Sequence, residues 1–334
     1  MKETHVLFDA IDHVTYETVE VEKKDLGPNE VRIEPAYYGI CGSDLHVLHG
    51  KHPFAKPPVV PGHELAAYVV EVGSAVSSVQ VGDHVTLDPI MACMECPACL
   101  SGRFNLCEPP HVAGFRAPGF ARSSHVVPER NCHKAPNSLP MNVLAFAEPA
   151  SCAYHAVHRM PKNSLDRVLV IGAGTIGLSI IQGLKIIGCK DISVIEPDDN
   201  KRKLALKLGA TKAYGVNEIP DDEIFTGVID VVAAQSTITD SFKHLRAGGT
   251  VLCMGVPSGP REVPLPRMNR FECDLLSSGM YIPSDIDGAV KWLAEGLFDT
   301  SDLITEIFPV EQATNAFKRA LDPDSIKILI KFRD

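Results

Sequence analysis

The chain has 334 residues and a formal net charge of −10, and 45% of its residues are hydrophobic and 22% are charged. This composition is typical of a folded globular protein, and the length is sufficient for two domains with separate cores. The acidic charge disfavours nucleic acid as a partner, because a phosphate backbone would be repelled. The N-terminus lacks the apolar core of a signal peptide and no run of about 18 apolar residues occurs, so we expect a cytoplasmic protein with no membrane partner.

Short strand-like runs rich in valine characterise the chain up to about residue 150. They include residues 31–34, 67–72 and 84–87, and glycine and proline punctuate them at 61–62 and 82–83. The pattern predicts a compact, mostly antiparallel β domain.

Side chains that can bind a metal occur at three separated places in this segment, namely Cys41, His63 with the adjacent Glu64, and Glu148. A thiolate, an imidazole and a carboxylate could hold zinc and leave a fourth position for water or substrate. From the residues alone this site is one hypothesis among others, because a single cysteine or histidine is more often a core or surface residue than a ligand.

Four cysteines lie close together at the spacing C-x2-C-x2-C-x7-C: Cys93, Cys96, Cys99 and Cys107. Four thiolates saturate a zinc ion and leave no position for a substrate, so this pattern predicts a structural zinc site. An iron–sulfur cluster is the alternative, although its ligand runs usually have a distant or Cys-Pro fourth member. Disulfides between such near neighbours are disfavoured. Four further cysteines are interpreted as small core residues, namely Cys132, Cys189, Cys253 and Cys273.

From about residue 151 the strand candidates become continuous apolar runs separated by helical stretches. The runs cover residues 168–171, 192–195, 228–232 and 251–254. Continuous apolar strands are buried on both faces, which predicts a parallel sheet covered by helices. The fold class is therefore α/β.

A glycine-rich turn follows the first of these strands and opens a helix. Its residues are Gly172, Gly174, Thr175, Ile176 and Gly177, and the next strand ends in Glu196. This context is typical of a dinucleotide-binding site, in which the helix N-terminus faces the pyrophosphate and the acid accepts hydrogen bonds from a ribose. A carboxylate at Glu196 repels a 2′-phosphate, so NAD is favoured over NADP. Lys201 and Arg202 lie just downstream and are candidates for contacts near the adenosine, although a solvated helix face explains them equally.

The last fifty residues predict two helices and a strand. Ala289, Val290, Leu293, Ala294 and Leu297 lie at helical spacing, residues 311–317 form a second helical pattern, and residues 326–332 form a final strand. The partial alternation of this strand indicates one exposed face, and the strand could pair back onto the first domain.

Five motifs occur in one order along the chain: GICGSDLH, PGHE, the four-cysteine lobe, AEPASCAYHA and GAGTIG. In this combination the chain resembles the zinc-dependent medium-chain alcohol dehydrogenases, and more narrowly the sorbitol and threonine dehydrogenase branch. The resemblance covers essentially the whole chain. It implies a GroES-like β-rich catalytic domain (residues 1–153 and 287–334) interrupted by a Rossmann NAD-binding domain (residues 154–286).

The resemblance also implies roles for individual residues. Cys41, His63 and Glu148 match the catalytic zinc ligands of the polyol branch, and Glu64 matches an acid that orients the site or becomes a ligand in turn. Cys152 is a rival third ligand, because other branches of the family use a cysteine, although the Glu-Pro pair at residues 148–149 favours Glu148. Ser43 matches the hydroxyl that contacts the substrate oxygen, and His46 matches the outer histidine of the proton relay. For Asp44 a supporting role is expected. Two zinc ions per chain and a homodimer or homotetramer are further implications.

The implied reaction is hydride transfer between a secondary alcohol and NAD. Phe54, Phe115, Arg116 and Tyr281 are candidates for the substrate pocket. Two departures from the family weaken the case for sorbitol itself, namely Arg122-Ser123 in place of an acidic-aromatic pair, and no arginine within residues 278–281. A polyol, a sugar acid or a phosphorylated sugar alcohol is compatible. The alternatives are an L-threonine or vicinal-diol dehydrogenase, and a non-catalytic NAD-binding protein with the same fold.

Overall fold

The structure, a computed structural model, describes residues 1–108, 111–257 and 259–333. The chain divides into two compact units. Unit 1 consists of Met1–Glu148, Ile282–Gly296 and Thr300–Asp334, and unit 2 consists of Pro149–Tyr281 and Leu297–Asp299. Within the described ranges no helix is both long and apolar enough to cross a bilayer.

The strands are β1 Lys2–Ala10, β2 His13–Glu20, β3 Glu30–Gly39, β4 Glu64–Val72, β5 His84–Leu87, β6 His125–Pro128, β7 Cys132–Ala135, β8 Arg167–Ile171, β9 Asp191–Ile195, β10 Lys212–Tyr214, β11 Phe225–Asp230, β12 Leu245–Cys253, β13 Asp274–Ser277, β14 Ile304–Pro309 and β15 Lys327–Lys331. The α-helices are α1 Gly42–Leu48, α2 Pro97–Leu100, α3 Met141–Leu144, α4 Ala147–Arg159, α5 Thr175–Ile186, α6 Asp199–Leu208, α7 Gln235–Lys243, α8 Leu265–Phe271, α9 Pro283–Ala294 and α10 Ala313–Ala320. Short 3-10 turns cover Phe104–Leu106, Glu129–Asn131, Lys162–Ser164 and Val310–Gln312.

Unit 1 is organised around a sheet with the strand order β14-β15-β3-β4-β5-β7, and β6 pairs with β3. All of its pairings are antiparallel except that of β14 with β15. The final strand β15 lies beside β3, with Leu329 opposite Gly39. The predicted return of the C-terminus to the first domain is therefore confirmed. A buried aromatic contact between Phe8 and Phe317, with ring centroids 4.9 Å apart, joins the N-terminal strand to α10.

Unit 2 contains a six-stranded sheet with the order β10-β9-β8-β11-β12-β13, and every pairing in it is parallel. The central strands are apolar along their length, because helices cover both faces of such a sheet. Four residues of β8 and all six of β11 are buried. The predicted parallel α/β fold is confirmed, and the reversal of strand order between β8 and β11 is the usual position of a dinucleotide site.

Several local predictions are wrong in detail. Helix α9 ends at Ala294, so Leu297 lies outside it and is 50% exposed. The second helical pattern starts as a 3-10 turn before α10 begins. The strands predicted to reach residues 232 and 254 end at Asp230 and Cys253, where the chain turns away from the sheet.

Burial also differs from two of the predictions. Strand β15 has no exposed face, because its first four residues are all buried, Lys327 included. Of the cysteines interpreted as core residues only Cys273 is buried, and the other three are partly exposed, namely Cys132, Cys189 and Cys253. A sequence pattern gives the polarity of a position, but the burial of that position depends on neighbours that are distant in the chain.

Candidate metal centres and cofactor site

The four closely spaced cysteines converge in unit 1. The sulfurs of Cys93, Cys96, Cys99 and Cys107 all lie within 4.8 Å of one another, and the Cys93 and Cys99 sulfurs are 3.9 Å apart. A zinc ion with tetrahedral sulfur ligands at about 2.3 Å would separate neighbouring sulfurs by about 3.8 Å. The donor set and its spacing therefore suit a structural zinc ion.

Backbone amide groups of the same loop point at these sulfurs. The Cys99 amide donates to the Cys96 sulfur over 3.5 Å, and the Cys96 amide donates to the Cys93 sulfur over 3.4 Å. The amide of Cys99 lowers the pKa of Cys96 to about 6, which favours the thiolate. Desolvation raises the pKa of Cys99 to about 12, so a cation would have to assist the ionisation of this thiol. The protein itself therefore favours the thiolate of Cys96, whereas ionisation of Cys99 depends on the metal.

A second group of ligand atoms forms in unit 1 at the starts of α1 and β4. Cys41 precedes α1, Glu64 begins β4, and His63 is the residue before it; their ligand atoms also lie within 4.8 Å of one another. His63 and Glu64 are buried at 4% and 1% exposure, whereas Cys41 is partly exposed. A partly open site with sulfur, nitrogen and oxygen donors is typical of zinc sites that admit a substrate.

The imidazole of His63 is oriented by a buried carboxylate. Its Nδ1 lies 3.6 Å from Oδ1 of Asp44, and neither atom has a hydrogen-bond partner. The other oxygen of Asp44 accepts hydrogen bonds from the Tyr38 hydroxyl at 2.7 Å and from the Cys41 amide at 3.0 Å. Burial opposes protonation of His63, but the carboxylate of Asp44 and the thiol of Cys41 raise its pKa well above the ordinary value. A small movement of the ring would complete the histidine–carboxylate contact common beside metal ligands.

The carboxylate of Glu64 is paired with a buried lysine. Nζ of Lys327 lies 2.7 Å from each oxygen of Glu64 and 2.9 Å from the carbonyl oxygen of Ile40. Burial opposes the charged form of Lys327, but Glu64, Cys41 and Glu148 raise its pKa. The lysine therefore compensates the negative charge that gathers at this group of ligands.

The remaining residues assigned to catalysis from the sequence lie around this group in different ways. Oγ of Ser43 is 3.5 Å from Nε2 of His63, and His46, one turn further along α1, is exposed. Glu148 is buried in the first turn of α4 and interacts electrostatically with Lys327, but its carboxylate is not within the 4.8 Å group of described ligand atoms. Cys152, its rival, lies about one turn later in α4 and belongs to unit 2.

The glycine-rich turn lies between β8 and α5 of unit 2. Gly172 has φ = +97°, a conformation that favours glycine, and Gly174 is the N-cap of α5, with open space around it. A Cβ on Gly177 would meet the carbonyl oxygen of Gly172 at 1.9 Å. Thr175 and Ile176 form the first turn of α5. Backbone can therefore approach a phosphate closely at the positive end of the helix.

Glu196 follows β9 and faces this turn. Its carboxylate accepts hydrogen bonds from the amides of Ala173 at 2.7 Å and Asp198 at 3.1 Å, and the residue is 8% exposed. Arg202 donates to the carbonyl oxygens of residues 196 and 197 and pairs with Asp199, whereas Lys201 lies partly exposed in the first turn of α6. The hydrogen bonds and the ion pair of Arg202 are therefore made with residues close to it in the chain.

The four candidates for the substrate pocket separate into two groups. Phe115 packs against the ring of His63 at 5.1 Å, and Arg116 lies over Phe54 at 5.2 Å, so these three belong to one surface of unit 1. Tyr281 is fully buried in unit 2. Arg122, the departure noted in the sequence, donates to the ring of His125 and pairs in backbone register with His5 rather than with the ligand group.

Three residues near the ligand group were missed by sequence reasoning: Tyr38, His52 and Lys327. Lys327 lies 263 residues from Glu64 in the chain, and Tyr38 is one of two adjacent tyrosines in a strand that also carries charged residues. The lysine at the start of the strand whose centre is apolar was the available signal, because a buried charge requires a partner.

Comparison with known proteins gives matches over most of the chain. Residues 27–137 match the family model described as "Alcohol dehydrogenase GroES-like domain", and residues 175–295 match "Zinc-binding dehydrogenase". The chain is 30% identical to a probable D-xylulose reductase A of Emericella nidulans, over 97% of this chain and 95% of that protein. It is 31% identical to the D-arabitol-phosphate dehydrogenase of Enterococcus avium, over 91% and 90% of the two chains.

Solved structures give the same result. A putative zinc-binding dehydrogenase from Sinorhizobium meliloti 1021 bound to NADP superimposes with a TM-score of 0.92 at 27% identity, covering 99% of this chain and 100% of that one. An alcohol dehydrogenase (rspB) from E. coli CFT073 complexed with NADH gives a TM-score of 0.92 at 28% identity, covering 99% of both chains. Both nicotinamide cofactors thus occur in proteins of this architecture.

Proposed function

Because this chain belongs to the zinc-dependent medium-chain alcohol dehydrogenases, we propose that it transfers a hydride between the secondary alcohol of a polyol or sugar derivative and NAD. It is a dehydrogenase that uses zinc and a nicotinamide cofactor. The observation that carries the proposal is the group formed by Cys41, His63 and Glu64, since three different donor atoms within 4.8 Å at a partly open position are a site for a catalytic metal.

Two zinc ions per chain are part of the proposal. Cys41 and His63 would hold the catalytic ion with Glu64 or Glu148 as the acidic ligand, and the four-cysteine lobe would hold the structural ion. Support comes from the donor sets, which match those of open and closed zinc sites respectively. We assign catalysis to residues 1–153 and 287–334 and NAD binding to residues 154–286.

The chain's own residues supply binding and proton transfer. Zinc, when bound, would polarise the substrate hydroxyl, and the nicotinamide would accept the hydride. Ser43 accepts the hydroxyl proton at Oγ and gives up its own hydroxyl proton toward His46 in the same relay, a role supported by its position 3.5 Å from Nε2 of His63. His46 releases the proton to solvent, because it is exposed on the same face of α1. Asp44 and Tyr38 keep the His63 ring in place.

NAD rather than NADP is the proposed cofactor. The carboxylate of Glu196 is fixed beside the glycine-rich turn by two backbone amides, where it would accept hydrogen bonds from a ribose and repel a 2′-phosphate. Arg202 is already bonded to backbone carbonyls and to Asp199, so this cation is less able to neutralise such a phosphate. Lys201 remains available for a contact with the adenosine.

The test is reduction of NAD and, separately, NADP with a panel of polyols, sugar acids, polyol phosphates, L-threonine and 2,3-butanediol, together with metal analysis. We expect two zinc ions per chain and turnover of at least one polyol-type substrate with NAD. A Cys41→Ser variant should lose one zinc ion and all turnover while keeping NAD affinity. Turnover of only threonine or butanediol would contradict a polyol-type substrate and favour the threonine or vicinal-diol alternative. One zinc ion per chain with no turnover would favour the non-catalytic alternative.

A cytoplasmic homodimer or homotetramer is also proposed. The four-cysteine lobe supports a reducing compartment, because oxidation to disulfides would destroy it. Sedimentation of the purified protein measures the oligomeric state, and a monomer at all concentrations would contradict that part of the proposal.

A further inference from the structure

A row of aromatic rings leads away from the candidate metal site along one surface of unit 1. Phe115 lies 5.1 Å from the ring of His63, and His52 stacks on Phe115 with centroids 4.4 Å apart and planes 13° apart. Phe54 meets His52 edge to face at 5.9 Å, and the guanidinium of Arg116 lies over Phe54 at 5.2 Å. The row therefore starts at a metal ligand and ends at a cation.

The segments that build this row carry no acidic side chain. Residues 45–63 and 111–128 contain no aspartate or glutamate, although the whole chain has a net charge of −10. Acids beside these segments are engaged, since Asp12 pairs with His49, Asp44 faces His63 and Glu64 pairs with Lys327. The two segments contain four cationic side chains and no acid, and such local positive charge would attract an anion.

The donors of Arg116 remain available. Among the described residues its side chain enters no hydrogen bond and no ion pair, and its guanidinium stacks on Phe54. Phe54 is itself 54% exposed and Arg116 is exposed as well, so a ligand can reach the stacked pair. Stacking fixes the plane of the guanidinium and leaves its fork of N–H groups directed at whatever approaches.

From these observations we propose that Arg116, supported by Phe54, binds the anionic end of the substrate, a carboxylate or a phosphate, while the secondary alcohol is held at the Cys41–His63 site. The inference rests on the proposed function and narrows its substrate class to sugar acids or polyol phosphates. A planar guanidinium accommodates either anion through paired hydrogen bonds. A polyol chain lying along the rings of Phe115 and His52 would extend from the metal site toward Arg116.

The test compares each neutral polyol with its charged counterparts: arabitol, sorbitol and galactitol, their terminal phosphates, and five- and six-carbon aldonates. We expect at least one anionic compound to exceed its neutral counterpart in kcat/KM by at least about tenfold. Arg116→Gln should lower kcat/KM for that compound by about 10- to 100-fold, mainly through KM, and change neutral polyols by less than about twofold. Arg116→Lys should retain part of the preference.

A matched control removes the same charge and the same kind of stacking elsewhere. Arg270 lies over Phe271 in unit 2 at 5.4 Å, so Arg270→Gln should leave the discrimination between charged and neutral substrates unchanged. Calorimetric titration of the preferred anion onto the zinc- and NADH-loaded protein should show the same loss of affinity for Arg116→Gln alone.

The outcomes separate the two proposals. Equal use of neutral and anionic polyols, or an equal loss for both in Arg116→Gln, would overturn the role of Arg116 while the dehydrogenase activity stands. No turnover of any compound by the protein loaded with two zinc ions would overturn the proposed function. Selective loss for phosphates or for aldonates would support the proposal and identify which anion is bound.

Discussion

The most demanding test of the site's architecture is the removal of one charge, Lys327→Met. Lys327 is 2% exposed and Glu64 is 1% exposed, measured on their side chains, and the ammonium donates to both carboxylate oxygens and to the Ile40 carbonyl. All three of its protons therefore have acceptors. The carboxylate also has no room to withdraw, because it lies against Gly39, where a Cβ would meet its oxygen at 2.3 Å.

Methionine fills a similar volume without the charge, so the variant isolates the electrostatic loss. Removal of one partner from a buried ion pair costs about 3–5 kcal/mol, because the remaining charge stays desolvated and unpaired. We expect the free energy of unfolding of unit 1 to fall by this amount. The chain's single tryptophan, Trp292, lies buried in α9 of unit 1, so urea unfolding followed by its fluorescence reports the relevant unit.

Two further variants decide whether the buried pair is the cause. Lys24→Met breaks an exposed pair with Glu30 and should cost less than about 1 kcal/mol. The double variant Glu64→Gln with Lys327→Met removes both charges and should recover a large part of the loss. A single variant within about 1 kcal/mol of the wild type, or a double variant no more stable than Lys327→Met, would refute the reasoning.

Three other predictions follow from the geometry. Tyr38→Phe removes the hydroxyl that holds Asp44 and should weaken zinc at the open site by about tenfold, measured by chelator competition; unchanged affinity would show that the tyrosine has no positioning role. Gly177→Ala should destabilise unit 2 because the added Cβ has no space, whereas Gly174→Ala should fold normally and lose NAD affinity. Thermal melting and NADH fluorescence distinguish the two variants. Equal melting temperatures would contradict these different roles of the two glycines. Burial raises the pKa of Asp88 to about 6, so the folded state holds this proton more tightly than the unfolded chain does. The free energy of unfolding should therefore fall as the pH rises from about 4 through 6. Asp88→Asn removes this titration, so in urea unfolding its stability relative to the wild type should increase by up to about 3 kcal/mol across that range, and a pH-independent difference would contradict this.

The sequence predicted those features that depend on local pattern. The four-cysteine lobe and the glycine-rich turn are short motifs whose chemistry is carried by spacing, so each could be recognised before any fold was known. The parallel sheet followed from continuous apolar strands, and the return of β15 was suggested by its pattern and agreed with the fold that the family resemblance implies. These inferences needed only residues near one another in the chain, or a pattern shared with known proteins.

Features that depend on distant residues were not predictable in the same way. Strand β15 was expected to expose one face, but Lys327 is buried because Glu64, far away in the chain, provides its partner. The helix expected to include Leu297 ends earlier, because hydrophobic spacing alone does not locate a C-terminus. Cys132 and Cys253 are partly exposed, and this too could not be predicted, because the burial of a side chain depends on residues that are distant in the chain.

The ion pair between Glu64 and Lys327 affects whether Glu64 or Glu148 is the acidic ligand of the proposed zinc ion. Glu64 is close enough to Cys41 and His63 to be a ligand, yet both of its oxygens already accept from the ammonium. Coordination by Glu64 would have to compete with a buried charge-assisted hydrogen bond, which is among the stronger contacts in a protein. Glu148 also interacts with Lys327, so the lysine influences both candidate acids. The ammonium would therefore oppose coordination by Glu64, and Glu64 could become a zinc ligand only if this ion pair loosened, whereas water, substrate or Glu148 could complete the shell without breaking it. We predict that Lys327→Met shifts coordination toward Glu64, visible as a change in the spectrum of the cobalt-substituted protein.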